Sequence, residues 1–174
     1  RAAAYGGLSR CRGKAGVADV LDVLKRDVPE LRNVAAQLVA DLPGAHATLV
    51  FAGGLSSLPP ATKALVIDAL VERGQGAAVP ALLAALADQN ASVRCAALRG
   101  LARLGGTSAV LPLARAAAAA TADSAGAEQR LARTALRRLA APGVDQVMEL
   151  FVSEEPGPVR AELIRALGPR QAKH

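Results

Sequence analysis

Tryptophan is absent from this 174-residue chain, tyrosine occurs once and phenylalanine twice. A core of that size must then come from Ala, Leu and Val, which dominate the 52% of hydrophobic residues. Ala and Leu favour helix, so an all-α fold is expected. No apolar run reaches the roughly 18 residues that cross a bilayer, so no membrane partner is expected. No signal-peptide pattern follows Arg1, and a start without Met inside an apparent repeat is read as part of a longer protein. The only cysteines, Cys11 and Cys95, lack CxxC or metal-ligand spacing. They are read as packing or surface residues, which disfavours a disulfide and favours a reducing, cytoplasmic setting. His46 and His174 are the only histidines, too few for a metal site and neither followed by Glu. Gly6-Gly7 and Gly53-Gly54 lie in helical patterns rather than after strands, so they read as close packing or a kink and not as phosphate loops. Glu154-Glu155 precedes Pro156-Gly157 and reads as a solvated turn. Nothing here assembles a catalytic group, so neither an enzyme nor a cofactor is expected.

What is present is a period. Arg1, Arg32, Lys63 and Arg94 stand 31 residues apart. Leu8, Val39, Leu70 and Leu101 follow them at one fixed offset, and Leu24, Leu55 and Leu86 precede the last three at another. A period in the 20–50 range marks a repeat architecture, in which each unit buries its apolar face by stacking on the next.

The apolar spacing predicts five helix pairs after one N-terminal orphan helix over Arg1–Cys11. They are Val17–Lys25 with Glu30–Leu42, Ala47–Leu58 with Ala61–Arg73, Val79–Ala87 with Ala91–Leu104, Thr107–Ala120 with Glu128–Ala140, and Val144–Val152 with Pro158–Leu167. Gly or Pro-Gly closes each pair, at Pro43-Gly44, Gly74, Gly105-Gly106, Pro142-Gly143 and Gly168-Pro169. The units run over residues 1–13 (partial), 15–44, 45–75, 76–106, 107–143 and 144–170 of a single domain, 1–174. Pro112 to Arg130 is four residues longer than Pro80 to Arg94, which places an inserted, mobile inter-helix turn near Thr121–Ala127.

Pro80, Asp88, Val93-Arg94, Ala96-Ala97 and Gly105 resemble the HEAT repeat, in particular its short bacterial, phycobilisome-lyase-like variety. Pro112 matches the proline of the next unit. Arg32, Arg94, Arg130 and Arg160 match the arginine position, with Lys63 as a variant. Asp27 and Glu154 lie near the position of Asp88, and Ser57 departs from it. The resemblance implies a right-handed α-solenoid of stacked antiparallel helix pairs, a ladder of acid–arginine pairs between units, and a non-catalytic scaffold whose second helices line the concave side. HEAT-like metal hydroxylases carry His-Glu pairs that this chain lacks, and chromophore attachment rests on fold resemblance alone.

Charge is the feature with functional content. The chain carries a formal +6, and residues 94–138 alone hold eight arginines against Asp123 and Glu128. On successive second helices the expected exposed positions read Gly6 and Arg10, Gln37 and Asp41, Asp68 and Glu72, then Arg99 and Arg103. In the next unit Arg130, Arg133, Arg137 and Arg138 oppose Leu131, Ala135 and Leu139, and Arg165 follows in the last. Either this is a solvated face, or Arg99, Arg103, Arg133, Arg137 and Arg138 bind an acidic protein segment. The alternative partner is nucleic acid, with arginines on phosphates. A HEAT-like DNA glycosylase would also need aromatics, and Tyr5, Phe51 and Phe151 all lie outside the arginine-rich stretch. Uncapped terminal helices would leave apolar surface, so self-association is a further expectation.

Overall fold

The computed structural model describes residues 14–26, 28–119 and 125–171. All regular structure among the described residues is helical. The helices are α1 (Lys14–Arg26), α2 (Pro29–Asp41), α3 (Ala45–Gly54), α4 (Pro60–Glu72), α5 (Val79–Ala85), α6 (Ala91–Leu104), α7 (Val110–Ala118), α8 (Ala125–Arg138), α9 (Val144–Glu154) and α10 (Gly157–Gln171). Single 3-10 turns extend α3 at Leu55–Ser57 and precede α5 and α7 at Gly76–Ala78 and Thr107–Ala109. The expected helix over Arg1–Cys11, with Gly6-Gly7 and Cys11, lies outside the described residues, as does Asp27. Cys95 is half-buried on α6, and His46 is exposed in the first turn of α3.

The residues cluster into two compact units, Arg1–Ala96 and Ala97–His174. In the first, α1 packs on α2 and α3, and α2 packs on α4. In the second, α7 pairs with α8 and α9 with α10, α10 packs back on both α7 and α8, and α7 also meets α9. First helices thus stack on first helices and second on second, the packing of an α-solenoid of helix pairs. The stacked faces bury Leu24, Phe51, Ile67 and Leu70 in one unit, and Leu98, Leu101, Leu113, Leu136, Leu139 and Met148 in the other. Gly54 shows why a small residue suits the α1–α3 contact: a Cβ there would sit 2.7 Å from Leu21 Cδ1.

Local chemistry sets the helix ends. Pro29 and Pro60 open α2 and α4, where a missing N–H has no helical partner to lose. Before α6, Asp88 Oδ1 accepts from the Asn90 N–H and Asn90 Oδ1 accepts from the Ser92 N–H, both at 2.9 Å, so the turn caps the helix. Gly44, Gly74 and Gly143 close second helices with φ of 91°, 68° and 81°, a region costly for other residues.

Two expectations fail. Gly168-Pro169 does not close α10, which continues through Pro169 to Gln171. The turn beyond is held because Arg170 donates to Asp145 Oδ1 (2.5 Å) and to the carbonyls of Arg137 (3.0 Å) and Leu139 (2.6 Å). Glu155 is not a solvated turn residue: it pairs with Arg115 Nη2 at 2.9 Å and its side chain is only 13% exposed. Of the inserted turn, residues 120–124 lie outside the described residues, and Ala125–Ala127 belong to α8.

The acid–base ladder has a rung where Lys63 Nζ meets Asp88 Oδ2 of the following pair at 2.6 Å. That hydrogen bond, with the one from the Asn90 N–H, holds the Asp88 carboxyl below its ordinary value. Arg94 works differently: its Nη1 donates to the carbonyls of Asp88 and Gln89 at 2.8 Å, closing the end of the first helix of its own pair. In the next pair Gln129 does this, donating to the Ala119 carbonyl, while Arg130 is exposed. The repeat position is therefore held by Gln129, not Arg130. With that correction Lys63, Arg94, Gln129 and Arg160 are spaced by 31, 35 and 31 residues, one insertion of four in an otherwise constant period.

A second recurrent device had no signal in the apolar pattern. Arg73, ten residues after Lys63, reaches back to the C-terminal end of α2. It donates to the carbonyls of Val39 (2.6 Å), Leu42 and Gly44 (2.8 Å) and to Thr48 Oγ1 (2.6 Å). Arg170, ten residues after Arg160, makes the same reach to the end of α8. The last carbonyls of a helix have no partner within it and carry the negative end of its dipole, so a planar guanidinium with several donors suits that place.

Candidate functional site

The arginine face is built on α6, α8 and α10. Buried Val93, Ala96, Ala97, Leu98 and Leu101 fix the inward face of α6, which leaves Arg99 and Arg103 exposed one turn apart. On α8 the buried residues are Ala132, Ala135, Leu136 and Leu139. Leu131 is only half-buried, so the inward face is rotated from the one expected through Leu131, Ala135 and Leu139. The cause is the one-residue shift that puts Gln129 in the arginine's place. Arg130, Arg133 and Arg137 follow one strip of α8 at i, i+3 and i+7, and Arg138 lies beside it.

Of the five expected contact residues, Arg133 and Arg137 line one pocket between α8 and α10, together with Leu136, Glu162, Arg165 and Ala166. Arg99, Arg103 and Arg138 stand apart from it, exposed on their own helices. Among the described residues Arg103, Arg137 and Arg138 are in no ion pair, so their charge faces solvent.

Arg133 is not free in this way. Its Nε lies 3.1 and 3.0 Å from Glu162 Oε1 and Oε2, and its Nη2 lies 2.9 Å from Oε1, a two-pronged pair. Arg165 Nη1 reaches the same Oε1 at 2.5 Å. Glu162 is 6% exposed, whereas the Arg133 and Arg165 side chains are 37% and 57% exposed. Burial pushes the Glu162 carboxyl up, but hydrogen bonds from Arg133 and Arg165 and their charges outweigh it and leave it below its ordinary value.

The sign of the pH effect follows. A carboxyl with a depressed folded-state value contributes its stabilisation fully above the unfolded value, roughly pH 4.3. It loses that contribution as pH falls through the lower folded value. Glu162→Gln is therefore expected to be less stable than the parent at pH 7, by on the order of 1 kcal/mol given the exposure of both arginines. The gap should narrow as pH falls below about 4. Urea denaturation of both proteins from pH 7 to pH 3 checks this, and two parallel curves would refute it.

Glu162 was the functional-site residue missed from sequence. Its signal is a break in the repeat. Val34, Leu65, Ala96 and Leu131 hold the equivalent position, spaced by 31, 31 and 35 residues, and Glu162 follows 31 later. An acid thus stands where four other units are apolar.

Among the described residues no group of three or more His, Cys, Asp or Glu side chains is placed to hold a metal ion. No helix among them is long and apolar enough to cross a membrane. No curated protein matches the chain. Residues 50–132 match the family described as HEAT repeats, a match to HEAT repeats in general that does not single out the short bacterial variety. The matched stretch runs from α3 into α8 and includes Lys63 and Asp88, which tie one pair to the next, and Arg94 and Gln129, which close the first helix of their own pairs. Over residues 50–132, helix pairs repeated in this way at a period of 31 are HEAT repeats.

Proposed function

We propose that this protein is a non-catalytic scaffold that binds an acidic protein segment through the exposed arginines of its second helices. HEAT repeats generally mediate protein interactions, and their fold is typically non-catalytic. The observation that carries the finer reading is the exposure of arginines on α6 and on α8. Arg99 and Arg103 lie one turn apart on α6, and Arg137 and Arg138 on α8 have no ion-pair partner among the described residues. Guanidinium groups at helical spacing suit carboxylates, which they meet with two parallel hydrogen bonds. Arg133 contributes with its charge already shared with Glu162. Binding to such a face weakens with salt, because the charges are solvated.

Nucleic acid is the second reading, favoured by the same exposed arginines and disfavoured by the lack of aromatics among them. Fluorescence anisotropy with a labelled acidic peptide, duplex DNA and single-stranded RNA across a salt series separates the two. The expected result is peptide binding that weakens at least tenfold in an Arg99/Arg103/Arg137→Ala variant, about 1.4 kcal/mol. Binding to DNA or RNA with a steep salt dependence, and none to the peptide, would replace the first reading with the second.

A further inference from the structure

We infer that the pocket between α8 and α10 is the anchoring subsite for that acidic segment, and that Glu162 is a positioning residue that sets its arginines. The inference rests on the proposed acidic partner and adds where the partner is gripped and by which residues.

The argument starts from two coordinated departures from the repeat. Arg133 occupies the position held by Ala36, Ile67, Leu98 and Ile164 in the other pairs, and Glu162 the position held by Val34, Leu65, Ala96 and Leu131. In the groove between α2 and α4 the equivalent residues, Ala36 and Leu65, line the cleft with apolar side chains. Between α8 and α10 that apolar contact is replaced by an ion pair. Stability alone does not ask for this exchange, because a well-packed apolar pair at such a place is commonly as stabilising as a buried ion pair, or more so.

What the exchange provides is a set of oriented donors. Glu162, almost fully buried, fixes Arg133 through both carboxylate oxygens and draws Arg165 to 2.5 Å. Arg133 and Arg165 pair with the one carboxylate and Arg137 lines the same pocket, which leaves it with a surplus of positive charge. Leu136 and Ala166 supply apolar wall. The free volume is about 40 Å³. On a measure where one water needs roughly 10–15 Å³, that is room for a carboxylate-sized group. The occupant is thus an aspartate or glutamate side chain of a peptide segment, its carboxylate taken by Arg137 and Arg165 and a small apolar neighbour resting on Leu136 and Ala166. Donors held in place before binding lose less rotamer freedom on binding, which is what Glu162 contributes.

Removing Glu162 tests this with a discriminating sign. Glu162→Leu adds one unit of positive charge and restores the residue found at Leu65 and Leu131. If charge alone governs binding, the variant binds an acidic peptide more tightly; if Glu162 positions the arginines, it binds more weakly. Anisotropy would use a fluorescein-labelled peptide of glutamates spaced by valine, with duplex DNA as the competing probe. Proteins would be the parent chain, Glu162→Leu, Glu162→Gln, Arg165→Ala and Arg99/Arg103→Ala, each checked by thermal melting. The expected result is a loss of about fivefold or more for Arg165→Ala and for Glu162→Leu, with Glu162→Gln also weaker and at least one Glu162 variant melting as the parent does. Binding by both Glu162 variants that equals or exceeds the parent's overturns the inference. Loss confined to Arg99/Arg103→Ala also overturns it while leaving the acidic partner standing. No peptide binding by the parent chain would overturn both readings together.

Discussion

Replacing Leu101 by alanine is expected to cost about 2–4 kcal/mol of folding stability. Leu101 is fully buried on α6, at the repeat position shared with Val39 and Leu70, which are also fully buried. Truncation removes buried methyl groups and leaves a cavity that a helix held on its neighbours fills only in part. The turn that follows is also closely packed: a Cβ added to Gly105 would lie 2.9 Å from Leu139 Cδ2 and 3.0 Å from Ala109 Cβ. Arg94→Ala on the same helix is expected to cost less, about 1 kcal/mol. It removes hydrogen bonds to the Asp88 and Gln89 carbonyls, which lie at an exposed turn where water can take over. Chemical denaturation of the two variants side by side gives the comparison, and a larger loss in Arg94→Ala would mean that the turn contacts, not the stacked apolar faces, hold the repeats together.

Arg73→Ala is expected to cost about 2–3 kcal/mol, more than an ordinary half-buried arginine. One guanidinium serves the carbonyls of Val39, Leu42 and Gly44 and the hydroxyl of Thr48. Its loss strips partners from the end of α2 and from the chain entering α3, where backbone groups are partly shielded from water. Burial lowers the pKa of Arg73, but an arginine stays charged throughout the ordinary pH range, so this cap is expected to be insensitive to pH. Arg73→Lys should recover less than half of the loss, since a compact ammonium has neither the reach nor the fork to serve acceptors spread over Val39 to Thr48. Denaturation midpoints of parent, Arg73→Lys and Arg73→Ala check the order, and full recovery by lysine would show that charge at the helix end matters and geometry does not.

The repeat itself was legible because stacking imposes it. Each pair must present the same apolar face to its neighbours, so Val39, Leu70 and Leu101 recur at one spacing and are all fully buried. The turn chemistry around Asp88 was legible for the same local reason, since Asp88 and Asn90 act within a few residues of themselves. The fourth pair was misread by one position. Arginine at 130 matched the motif by type, but the structure gives the role to Gln129, because only the residue facing the end of α7 reaches the Ala119 carbonyl. A one-residue slip turns a helix by about 100°, which moves Leu131 to the edge of the buried face and brings Ala132 and Leu136 into it.

The all-α repeat of period 31 and the gathering of positive charge between Arg94 and Arg138 were both set by the sequence alone. These follow from spacing and composition, which act along the chain. Which arginines are engaged and which face solvent depends on how the helices stack. Arg73 and Arg170 close helix ends 29 to 34 residues away in sequence, Arg133 is tied to a buried Glu162, and Arg103, Arg137 and Arg138 face solvent. An arginine's partner is fixed by what stacking brings beside it, and a one-dimensional period carries no record of that.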